Sequence, residues 1–121
     1  MSLDISVLVS GAPSTKQVLE RLATEGLTFA PREPGLWTAN LVGVGLALID
    51  DPDLEDDGDL RLSHFRTQLS INRYAGTDSD QQETMIGALA LLIAARLARE
   101  TSWHCLVVRD LQITLAEYGR P

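Results

Sequence analysis

Cysteine is nearly absent from this chain. Cys105 is the only one, which excludes an internal disulfide and fits a reducing cytoplasm. Aromatic residues are also few, at 5% against 45% hydrophobic residues overall, so the core must be built mostly from Leu, Ile, Val and Ala. No apolar run is long. Met85 to Ala95 is the longest, at 11 residues, against the ~20 needed to cross a bilayer. Met1 to Ser10 has no basic stretch followed by an apolar one, so no secretory leader is expected. Positive charge is scarce: 10 Lys and Arg stand against 17 Asp and Glu. A pI near 4.6 argues against nucleic acid as a ligand, because phosphates need basic residues to neutralise them.

Complete catalytic motifs are missing as well. Gly43-Val44-Gly45 lacks the third glycine and the following helix of a dinucleotide loop. Ser10-Gly11 lies outside the Gly-x-Ser-x-Gly frame of a nucleophile elbow. No His and Cys spacing matches a zinc site. His104 and Cys105 are adjacent, so on a strand they point to opposite faces and cannot act as a dyad. Only His64 remains as a base that the fold could bring to Cys105, and a buried structural cysteine is the plainer reading. The expectation is a non-enzymatic chain with no cofactor and no metal.

What the sequence does have is an acidic run, Asp50-Asp51-Pro52-Asp53-Leu54-Glu55-Asp56-Asp57-Gly58-Asp59. Seven of these ten residues are acidic, and the whole chain has a formal net charge of −7, so the remainder is balanced. Carboxylates so close together repel one another, and a cation or a basic partner would compensate them. Calcium fits in part. Counted from Asp53, oxygen ligands fall at positions one (Asp53), three (Glu55) and five (Asp57), with Gly58 at six, but His64 stands where an EF-hand needs a bidentate Glu. A solvated loop is the plainest alternative, and a contact surface for a basic protein the functional one. Trp37 could anchor such an interface, as could Trp103, although either also suits a core.

At 121 residues the chain has the size of one domain, spanning 1–121. Ile5, Val7 and Val9 alternate with Ser6, Leu8 and Ser10 as a first strand. Ser14 three residues before Gln17 opens a helix that Gly26 closes. Leu27–Phe29 reads as a short strand, Pro31–Gly35 as a loop and Leu36–Ile49 as one long strand. Leu60 and Leu62 share one parity and Phe65, Leu69 and Ile71 the other, which predicts a kink near Ser63-His64. A loop over Ala75–Ser79 and a capping pattern of Asp80 and Glu83 lead into a second helix to about Arg99. That helix is apolar nearly all round and should be covered on more than one side. Trp103–Val108 and Leu111–Leu115 read as two strands with Arg109-Asp110 turning between them. The order β-α-β-β-β-α-β-β predicts an α+β fold, a mostly antiparallel sheet with two helices packed on one face.

This layout resembles a family. A first strand leads into a helix from Pro13 to Glu25 ending in Gly26-Leu27. Gly35-Leu36 starts a long strand, Phe65-Arg66 sits near an alternating one, and a long apolar helix precedes Leu106-Val107-Val108-Arg109-Asp110-Leu111. In order and length of elements it resembles the SitI-type immunity proteins of bacterial polymorphic toxin systems. The resemblance implies a cytoplasmic protein that binds a cognate toxin and blocks it, without catalysis.

The reading is therefore a binding protein whose partner is basic. The contact would come from Asp50, Asp51, Asp53, Glu55, Asp56, Asp57 and Asp59, with Trp37 beside them. The alternative is an accessory or assembly subunit that self-associates, as a homo-oligomer, through a strand edge or the apolar second helix.

Overall fold

The computed structural model describes residues 5–12, 14–41, 44–56, 58, 60–73, 80–99 and 101–119; at 73 and 80–83 it describes the backbone. The strands are β1 (Ile5–Ser10), β2 (Ala30–Glu33), β3 (Leu36–Leu41), β4 (Val44–Asp50), β5 (Thr67–Arg73), β6 (His104–Arg109) and β7 (Ile113–Tyr118), and the helices α1 (Thr15–Thr24) and α2 (Asp80–Ala98). They form one seven-stranded sheet in the order β2-β3-β4-β5-β1-β6-β7, with every neighbouring pair antiparallel. The class is α+β, with the expected succession of strand, helix, strand cluster, helix and strand pair.

Local chemistry explains α1 well. Ser14 is extended, and its Oγ accepts the Gln17 backbone N–H at 3.3 Å. At the other end Gly26 has φ +93. The Leu27 N–H reaches the Leu22 carbonyl at 2.9 Å and the Gly26 N–H reaches that of Ala23 at 3.0 Å, the paired bonds of a Schellman close. Val18 and Leu22 are buried under the helix.

The strand cluster differs from expectation in three places. Residues 36–49 form not one strand but the hairpin β3-β4, with Leu41 opposite Val44; residues 42–43, including Gly43, lie outside the described residues. Pro31 belongs to a strand, β2, while 27–29 are irregular. A proline is tolerated there because β2 is an edge of the sheet and its pairing with β3 becomes irregular just past Pro31. The phase change near His64 is a single 3₁₀ turn, Leu62–His64, and β5 starts only at Thr67. The loop expected at Ala75–Ser79 and the side chains of Asp80 and Glu83 lie outside the described residues. The β6-β7 turn lies at Asp110–Leu111, both at positive φ, closed by the Gln112 N–H on the Arg109 carbonyl at 3.0 Å. Leucine disfavours that conformation; here Leu111 packs against the sheet's second apolar cluster.

Both helices lie on one face of the sheet. Val7, Val9, Leu46, Leu48, Leu69, Ile71 and Val107 meet Val18, Leu22, Ile86, Ala90, Ile93 and Leu97 in the main core. Alternation sends Leu8, Leu106 and Val108 to the other face, away from α1 and α2. Leu62 and Phe65, with Leu54 and Leu60 partly buried beside them, fill that place. The stretch from the acidic run to β5 is thus a structural layer.

Coverage of α2 on more than one side is not found among the described residues. Ile86, Ala90, Ile93, Ala94 and Leu97 are buried, whereas Leu92 is 56% exposed and Met85 43%.

Leu62 tests the layer. Its side chain is 2% exposed, so Leu62→Ala is expected to cost about 2–5 kcal/mol in denaturant unfolding. Leu92→Ala, at an open position, should stay within about 0.5 kcal/mol. Equal, small effects would mean that the 54–65 layer contributes nothing to the fold.

Candidate functional site

The acidic segment divides into carboxylates that hold the fold and carboxylates that face water. Asp50 belongs to the first group. Its Oδ1 accepts the Thr15 hydroxyl at 2.7 Å and the Arg66 Nε–H at 3.2 Å. Thr15 has one proton and gives it to Asp50, so the 2.6 Å contact between the Thr15 and Thr67 hydroxyls must be Thr67 donating to Thr15. This relay ties the first turn of α1 to β4 and β5, and the carboxylate also lies at the positive end of the helix. The Asp50 backbone N–H is taken by the Gly35 carbonyl at 2.9 Å, and that of Asp51 by the Arg66 carbonyl at 2.8 Å.

Asp56 also has a structural task. Its Oδ1 accepts the Ser63 backbone N–H at 2.9 Å and the Ser63 hydroxyl at 2.7 Å. Its other oxygen lies 3.7 Å from the Arg61 guanidinium. These bonds pin the acidic run to the 3₁₀ turn. The Ser63 backbone and hydroxyl bonds hold the Asp56 carboxyl below its ordinary 3.8 against an opposing desolvation, with Arg61 and then His64 adding lesser downward effects.

The second group is Asp51, Asp53 and Glu55, all exposed. Their side chains make no hydrogen bond or ion pair among the described residues. Asp51 and Asp53 have φ +52 and +54, a conformation that aspartate tolerates better than most residues. Leu54 between them points to the second apolar cluster, which turns its neighbours outward. Asp57 and Asp59 lie outside the described residues. Among the described residues no three His, Cys, Asp or Glu side chains gather as a metal site, and the repulsion within the run is relieved in part by Arg61 and Arg66.

Trp37 is not brought to this surface. It is half-buried on the helix side of β3 and packs on the main core, whereas the 54–65 layer lies on the sheet's other face. Trp103 is buried in the main core.

A groove that the sequence did not reveal lies beside the acidic residues. Arg61, His64 and Phe65 from the layer face Ser10, His104, Leu106, Thr114 and Glu117 from the sheet around about 260 Å³. The His104 and Phe65 rings are 5.4 Å apart. His104 Nε2 is 3.2 Å from Glu117 Oε2 yet makes no hydrogen bond, so the contact is close but poorly directed. No sequence signal marks this group: its members come from three segments far apart in the chain, each with an unremarkable local pattern.

Cys105 faces the opposite way, into the main core, so the sheet separates it from His64. Burial pushes its thiol up to about 12. It is not arranged as a nucleophile.

Compared with protein-family models, curated proteins and solved structures, the chain matches none.

Two measurements check this geometry. Cys105 should resist Ellman's reagent in the native protein and react fully once unfolded; rapid native labelling would contradict its burial. For Asp56 the folded value lies below the unfolded one, so its contribution is fully present above the unfolded value and is lost as pH falls through the folded one. The wild type should therefore exceed Asp56→Asn in stability near neutral pH, and the gap should close below about pH 4. A gap independent of pH would show that the Ser63 bonds do not depend on the carboxylate charge.

Proposed function

We propose that this chain is a non-enzymatic immunity protein that binds a basic bacterial toxin and blocks it. The observation that supports this most is the anchoring of the acidic run. Leu54, Leu60, Leu62 and Phe65 clamp it onto the sheet, and Asp56 fastens it to Ser63. Asp51, Asp53 and Glu55 are thereby presented as a held surface, which lowers the ordering cost of binding. Carboxylates on such a surface steer a basic partner and match its charge. Occlusion needs no catalytic group, and the order of elements resembles SitI-type immunity proteins.

The experiment has two arms. The reading frame beside this gene is induced in a bacterial host with and without this chain; growth arrest relieved by co-expression supports immunity, and toxicity without rescue removes it. Purified partner is then titrated against wild type and the Asp51→Asn, Asp53→Asn, Glu55→Gln triple variant. Affinity should fall about tenfold at low salt, and its salt dependence should flatten. Asp50 and Asp56 stay unchanged, so that the fold is not disturbed. Equal affinity for both proteins would move the interface elsewhere.

A further inference from the structure

We draw no further inference here: the strongest candidate, the groove in which Arg61, His64 and Phe65 of the 54–65 layer face His104, Thr114 and Glu117 of the sheet, carries charges of both signs, with Arg61 beside Asp56 and Glu117 beside His104, so that nothing in the structure shows what would fill it.

Discussion

A sheet of seven strands with both helices on one side leaves the other side of its central strands apolar and open. That imbalance is the constraint on which the rest of this protein depends. β1 is buried on both faces, so Leu8 needs a cover as much as Val7 does. The chain supplies it from the connection between β4 and β5, where Leu54, Leu60, Leu62 and Phe65 take the place a third helix would fill. The acidic residues are interleaved with these leucines. Alternation of inward Leu and outward carboxylate gives one short segment two tasks, closing the core below and charging the surface above.

The same arrangement explains why the acidic residues are not equivalent. Asp50 sits where the segment leaves β4 and Asp56 partway along it, and they hydrogen-bond into α1 and the 3₁₀ turn respectively. They fix where the segment starts and how its acidic part is held against the turn. The carboxylates between them are free of that duty and face solvent. Counting charge along the run treats all of them alike, whereas the fold separates them by what each oxygen accepts.

Much of the fold was legible where the governing interactions are local. Ser14, Gln17 and Gly26 bracket α1 through bonds spanning a few residues, and β1 shows its alternation directly. The α+β class follows from that level of reading. Other features depend on partners distant in the sequence. Leu60 and Leu62 resemble a strand by parity, but their position is set by Leu8 and Leu106 across the sheet. Pro31 reads as a breaker until β2 is known to be an edge. The glycine spacing at 43 and 45 suits one strand as well as a hairpin, and only the pairing of Leu41 with Val44 decides. Of the candidate surface, the charge was legible and its anchoring was not. Nor was the separation of Trp37 from it, because the side of a sheet on which a tryptophan falls depends on register.

Cys105 gives a last consequence. As a composition it suggested a reducing compartment. As a side chain it is sealed between β6 and the helices, protonated up to about pH 12 and out of reach of a second thiol. Burial and a protonated thiol both disfavour oxidation and cross-linking while the fold stands. The thiol is thus kept from the surroundings by the fold, and what the side chain contributes is a small apolar group filling the core.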